Sequence, residues 1–144
     1  MKPLQILRSL TAAIVAVATL IGMPAATAAI PLKTEIALQE ASPEHLHIEV
    51  LKVRKTRIAH YYKVTVTAKV LKVERTATKL KVGAEITLAY STPAVPMPSA
   101  PPGLVHAGKH YEAFLKQDGK TYDAAAASGT FKPVAPPAAK KADP

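Results

Sequence analysis

The most informative absence from this chain is cysteine, of which its 144 residues contain none. Without thiols there is no cysteine nucleophile, no thiolate metal ligand and no disulfide, so the fold must rest on packing and β-ladder hydrogen bonds. Tryptophan is also absent, and the aromatic residues are five Tyr and two Phe. A surface that binds polymers by aromatic stacking therefore has few residues to use.

Common catalytic patterns are missing as well. No serine of the chain lies in a Gly-x-Ser-x-Gly sequence, and the carboxylates are scattered without a close pair for acid–base chemistry. The six glycines are dispersed and form no phosphate-binding loop. We therefore predict that the protein is not an enzyme, and we expect no cofactor.

Acidic residues are in deficit, with 10 Asp and Glu against 19 Lys and Arg. A basic domain is attracted to acidic proteins, phospholipid head groups and anionic polymers. The excess charge alternatively serves solubility alone.

The one long apolar run is too short to cross a bilayer. Lys2 and Arg8 precede it, it extends from Ser9 to Met23, and Ala26-Thr27-Ala28 follows. A charged start, a run of about 15 apolar residues and an Ala-x-Ala end indicate a secretory signal peptide, whereas a membrane span needs about 20 residues. We predict a signal peptide over residues 1–28, a periplasmic or secreted protein and no transmembrane span in the mature chain; an uncleaved anchor is the alternative.

The remaining chain is short enough for one domain. We expect a lead-in segment at 29–43, in which Leu32, Ile36 and Leu38 fit either a turn of helix or an early strand. A β-domain follows at 44–133, interrupted by a Pro-rich loop at 91–103 that cannot be sheet because prolines remove ladder donors. Residues 134–144 are rich in Pro, Ala and Lys, which predicts a disordered tail.

From His45 onward, apolar and polar residues alternate, which predicts half-buried strands. The buried side changes at Val50-Leu51 in the first strand and at Val70-Leu71 in the second, which extends from about Tyr61 to Arg75. Successive residues of a regular strand point to opposite faces, so each change indicates a bulge or a stretch buried on both faces.

Both changes fall in a repeated sequence, because residues 50–53 and 70–73 read Val-Leu-Lys-Val. Chance similarity in a Val- and Lys-rich region is an equally good explanation of the repeat. A second strand of about 15 residues exceeds the usual length and must coil. Long bulged strands are typical of a small sheet that closes into a barrel.

The second half of the domain completes the predicted sheet. A third strand covers Ala84–Tyr90, and a fourth includes Tyr111, Ala113 and Leu115. Asp118-Gly119 then predicts a tight turn. Asp123 followed by four alanines predicts a short helix over Thr121–Ser128 that stops at Gly129, before a last strand over Thr130–Lys132.

This order of elements predicts an all-β fold: a small OB-like barrel, closed or partly open, of about five strands, with bulged long strands and one short helix. The segments LKVGAEITL and GLVHAGKHYEAFL, with Leu104, Gly108 and Tyr111 opening a late strand, resemble the netrin-like domains, which include the tissue inhibitors of metalloproteases. The resemblance covers about Ile48–Leu115. It implies the barrel and a secreted binding module, but not the inhibitory mechanism, which needs an N-terminal cysteine that this chain lacks.

The leading functional hypothesis is a non-catalytic binding or accessory module with a basic surface for an acidic protein or an anionic polymer. Export argues against genomic nucleic acid as the partner. The predicted partner-binding residues cluster at the first hairpin, and they are Arg54, Lys55, Arg57, His60 and Tyr61.

Two alternatives remain open at this stage. His45 and His47 share one face of a strand and, with His106 or His110, would suit copper or zinc in a periplasmic metal-binding protein. A protease-inhibitor-like module is the other alternative, and it follows from the resemblance alone.

Overall fold

The structure, a computed structural model, describes residues 31–95, 97 and 102–138. The predicted signal peptide, the middle of the predicted Pro-rich loop and the last residues of the predicted tail lie outside the described residues. In the part of the chain that is described, no helix is both long and apolar enough to cross a membrane.

Regular structure in the described residues begins with a helix and continues with six strands. The helix α1 covers Leu32–Ala41. The first two strands are the longest, at 15 and 16 residues. In chain order the strands are Glu44–Ile58 (β1), Tyr61–Thr76 (β2), Glu85–Pro93 (β3), His110–Asp118 (β4), Thr121–Ala124 (β5) and Phe131–Val134 (β6), with a 3-10 turn at Ala127–Thr130.

Five of the strands close into a barrel, which confirms the predicted all-β fold with a small barrel of about five strands. Hydrogen bonding follows the order β1-β2-β3-β5-β4, and β4 pairs back with β1. The contact of β3 with β5, at Leu88 and Tyr122, is parallel, and the other pairings are antiparallel. β6 pairs with the first half of β4, and β5 pairs with its second half.

The core is the inside of this barrel, and the predicted buried side of each strand is confirmed. Alternate residues are buried over Glu44–Val50 of β1, Val64–Val70 of β2, Ile86–Thr92 of β3 and Tyr111–Leu115 of β4, where Phe114 is buried as well. The largest fully buried apolar side chains are Leu46, Ile48, Val50, Val64, Val66, Val70, Leu88 and Leu115.

Both predicted changes of buried side are β-bulges. The ladder between β1 and β2 skips Leu51 on one strand and Leu71 on the other, so each Val-Leu-Lys-Val copy places its leucine at a bulge. Bulges bend a strand and increase its twist, which is what closing two long strands around a small core requires. A third bulge, at Glu74, was not predicted. The bulge at Leu51 lies between the register pairs Val50 with Ala68 and Lys52 with Thr67. The bulge at Leu71 lies between the pairs Ile48 with Val70 and His47 with Lys72.

The first bulge gives a testable contrast between neighbouring residues. Val50 is fully buried, whereas Leu51 is 40% exposed. We expect Val50→Ala to lower the free energy of unfolding by about 2 kcal/mol and Leu51→Ala by less than about 1 kcal/mol, although leucine loses the larger side chain. Urea unfolding followed by circular dichroism measures both. A larger cost at Leu51 would contradict the bulge assignment.

The predicted helix over Thr121–Ser128 is wrong. Thr121–Ala124 form β5, and only the 3-10 turn follows them. Asp123 does not cap a helix; its Oδ1 accepts a hydrogen bond from the Ala124 amide at 2.7 Å. The helix propensity of alanine is a small term per residue, and it is overridden because this segment is the strand that joins β3 to β4.

The secondary structure of two further segments, the one before the barrel and the one at the end of β3, could be assigned only from the structure. The lead-in, for which helix and strand were both open, forms α1. Ser91–Pro93 belong to β3 and not to the Pro-rich loop, which corrects the expectation that no part of 91–103 is sheet. The first proline of that segment falls at the last position of the strand, where a missing N–H is tolerated.

Helix α1 docks on the barrel through polar contacts. Gln39 is 7% exposed. Its Nε2 donates to the Gly129 carbonyl at 3.0 Å, and its Oε1 accepts from Lys132 Nζ at 2.8 Å. Arg75 of β2 donates to the carbonyls of Gln39 and Ser42 at 2.9 and 2.8 Å. Because these contacts are polar, α1 does not need an apolar stripe to dock. The apolar periodicity of the sequence therefore did not identify the helix.

Candidate functional site

The charges of the chain are segregated along β1 and β2. Residues 50–73 contain no Asp or Glu. The register of β1 with β2 folds this segment back on itself, so its cations share one hairpin. We call residues 52–63, at the end of this hairpin, the basic tip. The cations of the whole acid-free segment are Lys52, Arg54, Lys55, Arg57, Lys63, Lys69 and Lys72.

The cations of the basic tip are exposed and, among the described residues, none of them forms an ion pair. Lys72, outside the tip, pairs with Glu74. The hydrogen bond from Lys72 holds the pKa of the Glu74 carboxyl below its ordinary value. The positive charge of the tip is therefore available to a partner, whereas that of Lys72 is already neutralised.

One face of the basic tip combines cations with hydroxyl groups. Directly paired residues of an antiparallel ladder point to the same side. Lys52, Arg54 and Lys63 consequently share the outer face, away from the core. Lys52 and Arg54 are two residues apart, which spaces them by about 7 Å along the strand. The hydroxyl residues of the same face, across β1, β2 and β3, are Thr56, Thr65, Thr67, Thr87 and Ser91.

Lys55 and Arg57 point to the opposite side of the tip. Lys55 Nζ lies 5.3 Å from the centroid of the Tyr62 ring, a cation–π contact. Arg57 Nε donates to the Ala59 carbonyl at 3.4 Å. The structure therefore brings the predicted partner-binding residues to one hairpin end but divides them between two faces, with Arg54 and Tyr61 on the outer face.

A two-residue turn, Ala59-His60, ends the basic tip. Ala59 has a φ of 52°, in the left-handed region that residues with a Cβ seldom adopt. The His60 carbonyl accepts the Ala94 amide at 2.8 Å, which ties the turn to the residues that follow β3. His60 is thus placed at the apex by a backbone contact, and its imidazole is exposed.

A cleft of about 530 Å³ borders the outer face beside β3. Its polar lining includes Lys63, Ser91, Asp118 and Asp123, so it carries charges of both signs. Tyr90, also in its lining, donates from its hydroxyl to the Gly103 carbonyl at 3.1 Å, and burial raises the pKa of Tyr90 to about 12. Tyr90 is therefore buried, and its hydroxyl anchors the end of the loop at Gly103.

The histidines of the metal-binding alternative lie elsewhere on the barrel. His45 Nε2 lies 2.6 Å from Glu112 Oε1, and its ring stacks on Phe114 at 4.4 Å between centroids. His47 Nε2 lies 3.3 Å from Glu74 Oε1. The rings of His45 and His47 are 6.4 Å apart, so they share a strand face as predicted.

The other two histidines do not complete a ligand set. His110 lines one groove with His47 and a second groove with His106. Within the described residues, no three His, Cys, Asp or Glu side chains are grouped so that they could hold a metal ion. Metal binding stays a prediction without a geometric site to support it.

The partner-binding residues predicted from the sequence do not include the outer-face hydroxyl residues, Lys52 or Lys63. The signal was present, because Thr65 and Thr67 occupy the polar side of the alternation in β2. What the sequence lacked was the register that places Arg54 opposite Thr65.

Comparison with known proteins gives no relative: no protein-family model, no curated protein and no solved structure matches the chain.

Proposed function

We propose that this chain is an exported, non-catalytic binding module that recognises an acidic protein or an anionic polymer through the basic tip. The observation that carries the proposal is the acid-free segment at 50–73, whose tip cations are exposed and free of ion pairs within the described residues. Export rests on the signal peptide predicted from residues 1–28.

The outer face supports recognition of a repeating anion. Cations about 7 Å apart along β1, with hydroxyl donors on β2 and β3 beside them, offer both charge and hydrogen bonds to successive carboxylate, sulfate or phosphate groups. Small barrels of this class often bind polymers on the face of strands 2 and 3 and in the adjoining loops. Tyr61, 52% exposed at the edge of the face, adds one ring for stacking.

A different explanation of the charge is protection of a sheet edge. Beyond Val50, the described part of β1 is paired on one side only, with β2, and lysines on an edge strand discourage pairing with other chains. Edge protection predicts no saturable binding of a polyanion. Recognition predicts binding that depends on these particular cations.

The experiment is calorimetric titration of the purified chain with poly-L-glutamate at low and physiological ionic strength. We expect R54E/K55E/R57E to weaken binding at least about tenfold, because reversing a cation replaces attraction by repulsion. The matched control is K33E/K79E/K81E, which changes the net charge equally at exposed positions away from the tip. Equal weakening by both variants, or no binding by the unmodified chain, would refute the proposed surface.

A further inference from the structure

The basic tip also exposes apolar side chains. A soluble polyanion would bind the cations but would make no contact that buries these apolar groups. Ile58 is 57% exposed and Tyr61 is 52% exposed. These two residues are the last register pair before the turn, so they lie side by side on the outer face. Val95, 66% exposed, follows Ala94, whose amide is bonded to His60. Three exposed apolar side chains therefore lie at one end of the barrel.

Cations lie next to this apolar group. Arg57 adjoins Ile58 in the chain, and Arg54 and Lys63 lie behind it on the outer face. Residues 86–111, which include Val95, contain no Asp or Glu either. Asp118 and Asp123 line the same cleft as Lys63. The tip is therefore apolar at its apex and basic around it.

From this arrangement we infer that the basic tip docks on an anionic lipid bilayer. Ile58 and Tyr61 enter the boundary between head groups and acyl chains, while Arg54 and Arg57 contact anionic head groups. Proteins that lie in the interface combine apolar side chains with surrounding Lys and Arg in this way. Tyrosine suits that depth because its ring is apolar and its hydroxyl reaches water.

The hairpin is suited to shallow insertion. Its backbone groups are largely paired between β1 and β2 up to Ile58 and Tyr61, so few of them would enter the interface without a partner. An acidic protein would match the cations but gives no reason for Ile58, Tyr61 and Val95 to be exposed together. The inference rests on the proposed function, since it uses the same cations of the basic tip, and it adds a lipid surface as a further anionic partner.

The chain has no tryptophan, so the fluorescence of a single introduced tryptophan reports on the environment of that position alone. Ile58→Trp places it at the apex. Val82→Trp is the control, at a position 65% exposed in the loop between β2 and β3, at the other end of the barrel. With vesicles of phosphatidylcholine containing about one third phosphatidylglycerol, we expect a blue shift of emission for I58W and none for V82W, and no shift for either with phosphatidylcholine alone.

A second pair of variants separates insertion from charge attraction. We expect I58S/V95S to bind the anionic vesicles at least about tenfold more weakly and poly-L-glutamate within about twofold of the unmodified chain. We expect R54E/R57E to lose both ligands. An unshifted I58W, equal shifts of I58W and V82W, or unchanged vesicle binding by I58S/V95S would overturn the inference.

The two proposals can fail separately. Binding of poly-L-glutamate without binding of anionic vesicles would reject the lipid surface and leave the proposed function standing. Failure of the unmodified chain to bind poly-L-glutamate would reject the proposed function itself, and binding of anionic vesicles in that case would leave the lipid surface as the partner of the basic tip.

Discussion

Replacing Glu44 by alanine is expected to lower the free energy of unfolding by about 3 kcal/mol, because hydrogen bonds to a charged acceptor contribute about 1.5–3 kcal/mol each. Glu44 is fully buried at the start of β1. Its Oε1 accepts the amides of Ala77 and Thr78 at 3.1 and 2.9 Å, just beyond the end of β2. This carboxylate therefore joins the beginning of β1 to the loop that leaves β2.

Two opposing effects set the size of this prediction. Glu44 Oε2 is buried without a hydrogen-bond partner among the described residues, and removing it relieves a desolvation cost. That relief offsets part of the loss, which is why the expected cost is below the sum of two strong hydrogen bonds. Burying two amides without their acceptor is the larger effect.

The controls for Glu44 are a conservative variant and a neighbour. Glu44→Gln retains the carbonyl oxygen for both amides and is expected to cost less than Glu44→Ala. Glu49→Ala removes a carboxylate from the same strand at a partly exposed position, and it is expected to cost less than about 1 kcal/mol. Urea unfolding followed by circular dichroism suits a chain without tryptophan. Similar decreases in the free energy of unfolding for Glu44→Ala and Glu49→Ala would show that the Glu44 carboxylate does not stabilise the fold by joining β1 to the loop after β2.

Replacing Gly129 by valine is expected to release helix α1 from the barrel. A Cβ at Gly129 would overlap Glu35 Oε1 and Gln39 Nε2 and would lie 2.6 Å from Glu35 Cγ. The side chain of Gln39 cannot move aside without losing its hydrogen bonds to Gly129 and Lys132. Steric overlap and the loss of these contacts together are expected to destabilise the docked helix by about 3 kcal/mol.

Hydrogen exchange of the α1 amides measures this release, and trypsin cleavage after Lys33 is a second readout. Exchange of the core amides of β1 and β2 is expected to change little, since the barrel does not depend on α1 for closure. Gly103→Val is the control, because a Cβ there meets no atom within 4 Å among the described residues. Unchanged α1 protection in Gly129→Val would contradict the docking described above.

Side-chain alternation was the part of the sequence that predicted most of the fold. Each Val-Leu-Lys-Val copy interrupts a regular alternation, and a strand can do this only by a bulge or by burial on both faces. Val50 and Val70 are fully buried next to leucines that the ladder skips, so the bulge was the correct alternative. Alternation is a reliable signal here because one face of the barrel sheet contacts solvent and the other face contacts the core.

The helix could not be located from the sequence, for two physical reasons. The alanines after Asp123 favour a helix locally, but the barrel closes only if Thr121–Ala124 lie between β3 and β4. Conversely, α1 is held by Gln39 and by Arg75 of β2, which are polar contacts from distant parts of the chain. Neither the strand pairing nor these contacts leave a pattern in the local sequence.

The sequence predicted which residues belong to the candidate site, but not how they are arranged in space. Charge counting identified Arg54, Lys55 and Arg57, and the structure places all three on one exposed hairpin. Their division between two faces depends on the bulge at Leu51 and on the register with β2. The threonine and serine hydroxyl groups of the outer face come from three strands, and their proximity follows from that register alone.

The most direct test of the proposed surface is a nitrogen–proton NMR titration of the labelled chain with poly-L-glutamate. We expect the largest amide chemical-shift changes within residues 52–63 and at the facing positions Thr65, Thr87 and Ser91, and no changes for the amides of α1 and β6. Largest shifts around His45 and His47, or small shifts spread evenly over Lys33, Lys81, Lys109 and the basic tip, would contradict the assignment of the binding surface.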